Sequence, residues 1–226
     1  MNPIAAIVFD FDGVLADSEP LHLRAYQEIF RPMGVALDRD EYYGRYLGYD
    51  DEGLFRAMAA DRGWEIDDQR IAALIDEKTR AFQDLIGRDD VLYPGAEACV
   101  RRLEGEFPVG IASGALRHEI EAILERHAMR SIFRFIVAAG DTAASKPAPD
   151  PYRRAAELHG LPPSSCVAIE DSRWGIMSAR AAGLRCIGIT HTYPADGLRE
   201  AHAVVSSLDE ITPDFVIRVL KGSEGC

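Results

Sequence analysis

The chain is predicted to be an α/β protein, a parallel twisted sheet with helices on both faces, interrupted near its start by an inserted all-α domain. Three observations carry that expectation. From residue 95 onward, short apolar runs alternate with amphipathic helical segments, the pattern of successive βαβ units. Residues 38 to 87 hold helical patterns only, with no strand-like run between them. The first apolar run, Ile4 to Phe9, stops on Asp10 and Asp12, where an open α/β sheet keeps its chemistry just beyond the carboxyl ends of its strands.

After that first strand, Gly13 lets the backbone turn away. Ser18 is expected to cap a helix with Pro20 in its first turn; Leu21, Ala25, Ile29 and Met33 recur at helical spacing and Gly34 ends it. Three more helices are predicted over residues 38–47, 51–62 and 67–86, each opened by Asp and punctuated by Gly48, Gly53 and Gly63. The last presents Ile71, Leu74, Ile75, Phe82 and Leu85 on one face. Residues 17–90 therefore read as a helical insert. Residues 1–16 and 91–226 read as a Rossmann-like core that resumes at Tyr93-Pro94-Gly95. In that core, helices are expected over 95–104, 116–127, 150–159 and 174–182. Strands are expected over 107–112, 135–138, 166–169, 185–189 and 203–205.

At 226 residues, 47% hydrophobic and 27% charged, the composition is that of an ordinary globular protein. A net charge of −12 argues against nucleic acid or an anionic membrane as a partner. An anionic substrate would need local cations, a metal ion with a few placed Lys or Arg residues. Cys99, Cys166, Cys186 and Cys226 show no close pair and no metal-ligand spacing, and Cys166 and Cys186 sit in apolar runs as small core residues. A reducing cytoplasm suits them. There is no signal-peptide pattern at the N-terminus and no apolar run of membrane-spanning length.

A parallel sheet would gather polar groups from four strand ends or nearby loops: Asp10 with Asp12, Ser113 with Gly114, Lys146, and Glu170 with Asp171. Two acids as close as Asp10 and Asp12 repel unless a cation or a proton separates them. Asp10, Glu170 and Asp171 around one point suit a hard cation with oxygen ligands, and Mg²⁺ fits best because it uses few carboxylates and keeps water and phosphate as its other ligands. Ser113 can hydrogen-bond a phosphate oxygen, and Lys146 can hold both phosphate and carboxylate. Ser113 has no evident base that would make it a nucleophile. Taken singly, each has a plainer reading as a turn, a helix cap or a solvated charge. Their joint order along the chain is more specific.

Over nearly its whole length the sequence resembles the haloacid dehalogenase superfamily of aspartate-nucleophile phosphotransferases. Asp10-Phe11-Asp12-Gly13-Val14 is similar to that family's first motif, Ser113 to its second, Lys146 to its third and Glu170-Asp171 to its fourth, and the insert resembles its small α-helical cap. The resemblance implies that Asp10 is esterified by phosphate and that Asp12 protonates the leaving oxygen, then deprotonates water. It implies that Mg²⁺ is held by Asp10, Glu170, Asp171 and the Asp12 carbonyl, with Ser113, Gly114 and Lys146 on the phosphate. Dehalogenases of the family lack the second acid, so the Asp12 side chain points to a phosphate ester.

The segment from Asp17 to Tyr26, with His22 and Arg24, resembles the β-phosphoglucomutase-like branch. Two departures count against a true mutase, which must grip a second phosphate. Asp51 stands roughly where that branch has an Arg, and Leu116 replaces a Lys, with Arg117 one step away. The resemblance thus implies a phosphatase for a small phosphorylated metabolite such as a sugar phosphate. His22, Arg24, Arg45 and Lys78 are the candidate substrate contacts from the cap. Lys78 is otherwise expected to snorkel from its apolar stripe, and Tyr42, Tyr43, Tyr46 and Tyr49 to serve mostly in cap packing. A mutase, a phosphoreceiver switch and a non-catalytic binding protein remain as alternatives. A monomer is expected, because the cap already covers the site.

Overall fold

The structure, a computed structural model, describes residues 5–47 and 49–222; Ile4, Gly48 and Cys226, named above, lie outside them. The chain divides into two compact units. One is formed by the chain up to Asp17 and from Val91 onward, the other by Ser18–Asp90. Asp17 stays with the first unit: its N–H donates to the Val91 carbonyl (2.8 Å), beside a bridge between Ala16 and Leu92.

The first unit is built on a six-stranded sheet in the order β3-β2-β1-β4-β5-β6. Its strands are β1 (Ala6–Phe9), β2 (Val109–Ala112), β3 (Ile136–Val137), β4 (Cys166–Glu170), β5 (Arg185–Ile189) and β6 (Ala203–Val205). Every pairing is parallel. All four residues of β1 are buried, as a central strand covered on both faces requires. On one face Ala6, Val8, Ala168 and Cys186 pack against Tyr152, Ala155, Ile176 and Ala179. The alternate set Ile7, Phe9, Ile111, Val167, Ile169 and Ile187 is equally buried, so the other face is covered too. Each such side chain stabilises the fold by about 1.5–3 kcal/mol relative to exposure.

The second unit holds α1 (Glu19–Phe30), α2 (Arg39–Glu41), α3 (Asp51–Arg62) and α4 (Asp68–Ile86), and the chain beyond it adds α5 (Ala96–Glu104), α6 (Arg117–Arg126), α7 (Asp150–His159), α8 (Arg173–Ala181) and α9 (Pro213–Lys221). In the helical unit, Asp38, Asp50 and Asp67 each accept a hydrogen bond from the backbone N–H three residues on, which fixes the starts of α2, α3 and α4. A common core joins Tyr26 and Phe30 of α1 to Leu54, Phe55 and Met58 of α3 and Leu74 of α4. Among the described residues, no helix is long and apolar enough to cross a membrane.

Several local expectations need correction. The helix expected over 38–47 is a single α-turn that widens into a π-helical segment, Tyr42–Tyr46. Ser18 has helical φ and ψ and makes no side-chain cap, so Pro20 and Glu19 alone mark the start of α1. Met33 leaves the apolar stripe: it ends a 3₁₀ turn and is 39% exposed. Of the four tyrosines, Tyr42 and Tyr46 are buried and Tyr49 is exposed. Strands 107–112 and 135–138 are shorter than expected, and α9 lies beyond the last predicted element.

His159, the last residue of α7, is buried beneath β1. Its Nε2–H donates to the Ile7 carbonyl (3.3 Å), and Nδ1 has no partner. Burial, with Arg134 adding to it, pushes its pKa down to about 4 against the opposing Ile7 carbonyl. The folded state thus holds this ring neutral where an unfolded chain would protonate it, so its contribution is full above pH 6.5 and falls away as the pH drops toward 4. Between pH 7.5 and pH 5, denaturant unfolding of the wild type is expected to lose about 1–2 kcal/mol more than that of His159→Gln. Equal losses would show that the ring does not titrate on unfolding.

Candidate active site

The strand order reverses its direction of winding between β1 and β4, and a cleft opens beyond the carboxyl ends of strands at such a point. Phe9 lies beside Ile169, and the Asp10 N–H donates to the Ile169 carbonyl (2.9 Å). Asp10 and the Glu170–Asp171 pair therefore leave adjacent strands at the same level. Oxygens of Asp10, Glu170 and Asp171 lie within 4.8 Å of one another, and all three residues are buried.

Lys146 comes to this cluster from the loop before α7. Its Nζ is 2.9 Å from Asp10 Oδ1 and 2.6 Å from Glu170 Oε1, and lies 5.0 Å from the centroid of the Tyr152 ring. Glu170 is fully buried and further held by the Tyr152 hydroxyl (2.8 Å) and the Ser172 hydroxyl (3.2 Å). Three carboxylates thus face one ammonium, an excess of two negative charges (three minus one) when all are ionised.

The titration of these groups follows from burial first and from that imbalance second. Burial and then Glu170 raise the Asp10 carboxyl well above its ordinary range, with Lys146 opposing. Burial and Glu170 also push Asp171 up to about 7. Burial alone would lower the Lys146 ammonium, but Asp10 and Glu170 outweigh it and raise its pKa. An oxygen-only, buried and over-negative cluster is chemically suited to a hard divalent cation.

Asp12 is not one of the three clustered acids; it sits on the turn after β1, bridged to Ala16. Gly13, at φ +76°, makes that turn, and no larger residue fits: a Cβ there would fall 2.0 Å from Asp171 Oδ2. Ser113 follows β2, is buried, and accepts from the Ala115 N–H through its hydroxyl (3.2 Å). Its hydroxyl proton is left to donate elsewhere. Ser113, Gly114, Ala138, Gly140, Ser145 and Lys146 line a cavity of about 190 Å³. Arg117, one step beyond Leu116, donates from its guanidinium to the Ile136 carbonyl and to Asp141 (2.6 Å).

Within the helical unit each candidate contact has a partner of its own. His22 stacks on Phe82 with ring centroids 4.1 Å apart, and burial, then Lys78, push its pKa down to about 3. Arg24 pairs with Asp89, and Arg45 with Asp61 (2.8 Å). Lys78 neither snorkels nor stays unpaired. It is 1% exposed, bound to Asp51 (2.9 Å), with the rings of Tyr26 and Phe82 5.3 and 5.0 Å away. The Tyr26 hydroxyl completes that set by donating to Asp51 (2.5 Å). Asp51 therefore carries its own counter-charge.

Sequence reasoning missed Tyr152, and it missed His191 and Thr192 after β5. Thr192 Oγ1 and Asp171 Oδ2 both border Gly13, 2.7 and 2.0 Å from where a Cβ on it would fall, and His191 Nδ1 lies 3.0 Å from the Gly13 carbonyl. The available signal was the strand-end rule, which applies to β5 as well as to β1, β2 and β4.

A family model described as haloacid dehalogenase-like hydrolase matches residues 4–183. Protein CbbY of Rhodobacter capsulatus is 35% identical over 198 residues, covering 81% of this chain and 84% of that protein. Fructose-1-phosphate phosphatase YqaB of Escherichia coli is 30% identical over 194 residues, covering 82% and 96%. The crystal structure of a CbbY mutant from Rhodobacter sphaeroides in complex with xylulose-(1,5)bisphosphate is similar at a TM-score of 0.77 and 30% identity, covering 91% of this chain and 95% of that one. Matched by that model over most of its length, and by a relative more than a third identical, the chain belongs to the haloacid dehalogenase-like hydrolases.

Proposed function

We propose that this enzyme is a magnesium-dependent phosphoric monoester hydrolase that acts on a small phosphorylated sugar through an aspartyl-phosphate on Asp10. The observation that carries the reading is the convergence of Asp10, Lys146, Glu170 and Asp171 at the β1–β4 reversal. The ion would be held by the Asp10, Glu170 and Asp171 side chains and the Asp12 carbonyl. When bound, it offsets the repulsion between Asp10 and the substrate phosphate.

In this reading an Asp10 carboxylate oxygen attacks phosphorus as the bond from phosphorus to the leaving oxygen breaks. Asp12 gives its proton to that oxygen. Water then attacks the same phosphorus, passing a proton back to Asp12, and the phosphoryl group leaves Asp10 as inorganic phosphate. Lys146 neutralises charge on Asp10 and on a phosphoryl oxygen, while the Ser113 hydroxyl and the Gly114 N–H donate to the others. Such donors act most strongly where charge develops in a site shielded from water.

The sugar phosphate is supported by the names of the relatives, one a fructose-1-phosphate phosphatase and one solved with xylulose bisphosphate. Hydrolysis rather than mutase transfer is favoured because Arg117 and Lys78 are both committed to carboxylates, which leaves neither to hold a second phosphate. Among the described residues, Cys99, Cys166 and Cys186 are buried and free, in accord with a reducing cytoplasm.

The test is phosphate release from a panel of sugar and polyol phosphates, with Mg²⁺ and then with EDTA. β-Glucose 1-phosphate with a bisphosphate activator serves as the mutase arm. Phosphate release that stops with EDTA and returns with Mg²⁺ is expected. Because a cation relieves the excess negative charge, Mg²⁺ at about 100 times its Kd is also expected to add about 2.7 kcal/mol of stability. Isomerised product without phosphate release, or release indifferent to chelation, would overturn the reading.

A further inference from the structure

The loop that follows β5 braces both the turn after β1 and the acid cluster, though it lies in none of the four motifs. His191 lies 3.0 Å from the Gly13 carbonyl, and since a carbonyl only accepts, Nδ1 carries the hydrogen. Tyr93, where the chain returns to the first unit, stacks on His191 with centroids 4.0 Å apart. Those two contacts fix the height of the loop. The next residue, Thr192, brings its hydroxyl beside the Asp171 carboxylate, both of them against Gly13. A Cβ built on Gly13 would fall 2.0 Å from Asp171 Oδ2 and 2.7 Å from Thr192 Oγ1, so the bare Gly13 Cα faces both. Asp171 is thereby confined between a hydroxyl on one side and the turn that carries Asp12 on the other.

We propose that Thr192 is a positioning residue for the divalent cation: its hydroxyl donates to Asp171 and orients that carboxylate toward the oxygens of Asp10 and Glu170. The proposal rests on reading those three acids as a metal site. Groups that orient a ligand in this way typically alter metal affinity by about 10–100-fold when removed. Thr192 itself is solvent-exposed, so the lower end of that range applies and little stability is at stake. Thr192 is not among the residues that line the cavity beside Ser113, so the grip on phosphate is left alone.

The experiment compares full-length wild type, Thr192→Val and Thr192→Ser. Mn²⁺ binding is followed by the electron paramagnetic resonance of free ion and by calorimetry, beside Mg²⁺ activation curves and thermal melts in EDTA. Val keeps the shape and removes the hydroxyl; Ser keeps the hydroxyl. Thr192→Val is expected to weaken Mn²⁺ binding about tenfold and to raise the half-activating Mg²⁺ concentration equally. At saturating Mg²⁺, kcat and the substrate KM should stay within about twofold, and Thr192→Ser should restore affinity to within about twofold. Unchanged Mn²⁺ affinity in Thr192→Val overturns the proposal. So does a loss that comes with a lowered melting temperature in EDTA, which would mean general loosening. Failure of the wild type to take up Mn²⁺ would instead overturn the metal reading and this proposal together, so the two failures are told apart.

Discussion

Asp10→Asn is expected to stop turnover, at least about a thousandfold below wild type, while the protein stays folded. The amide nearly matches the carboxylate in shape, so the Phe11 N–H can still donate to the side-chain oxygen at this position, as it does to Asp10 Oδ1 (2.8 Å). Lys146 keeps its contact with Glu170. What disappears is the ionised oxygen that forms the bond to phosphorus. The substitution also lowers the excess charge of the cluster from two to one, since two carboxylates then face one ammonium. The sign of the stability change follows. Asp10 has a folded pKa above its unfolded one, chiefly through burial and Glu170. Its ionised form is therefore disfavoured in the fold, a penalty present in full above the folded pKa and relieved below the unfolded value. In EDTA at neutral pH, Asp10→Asn should melt no lower than wild type, and any advantage should shrink as the pH falls. Phosphate release above about 1% of wild type would remove Asp10 as the nucleophile.

Much of this arrangement was legible in the residues because two simple rules cover it. Strands buried on both faces are continuous apolar runs, so β1, β4 and β5 stand out, and Asp capping marks α3 and α4. A parallel sheet then brings the ends of its strands to one edge, which is why Asp10, Glu170 and Asp171 meet as expected. The less legible contacts are side-chain pairings across long separations. Lys78 looked like a candidate for substrate because it interrupts an apolar stripe. Its partner Asp51 lies on α3, and no local pattern couples a carboxylate there to an ammonium on α4. Tyr152 sits inside α7 as an ordinary apolar position, and only the fold turns its hydroxyl to Glu170. Ser18 and Met33 failed for a local reason: capping and periodicity set where a helix can begin or run, whereas burial decides where it does.

Gly175→Ala adds one methyl group and is expected to damage both fold and activity. A Cβ at this position would fall 1.7 Å from Glu170 Oε1 and 1.8 Å from Glu170 Cδ, inside the carboxyl group itself. Neither side has an easy retreat. Gly175 is in the first turn of α8, where its N–H donates to the Ser172 hydroxyl that also binds Glu170. Glu170 is fully buried between Lys146 and Tyr152. If the helix start lifts, the cap is lost at about 1 kcal/mol. If Glu170 swings away, a buried ammonium loses a partner, which costs about 3–5 kcal/mol. Alanine's better helix propensity returns only about 1 kcal/mol, so destabilisation wins. The expected result is a loss of about 3 kcal/mol in denaturant unfolding and about a hundredfold or more in turnover, since Glu170 and Lys146 no longer keep their places. Gly44→Ala is the control: a Cβ there meets nothing within 4 Å, so stability should change by no more than about 1 kcal/mol and turnover not at all. Combining Gly175→Ala with Glu170→Asp withdraws the carboxylate by one methylene and should recover part of the lost stability, a coupling that only neighbouring sites show. A double variant no more stable than Gly175→Ala alone would mean that the methyl group acts on something other than Glu170.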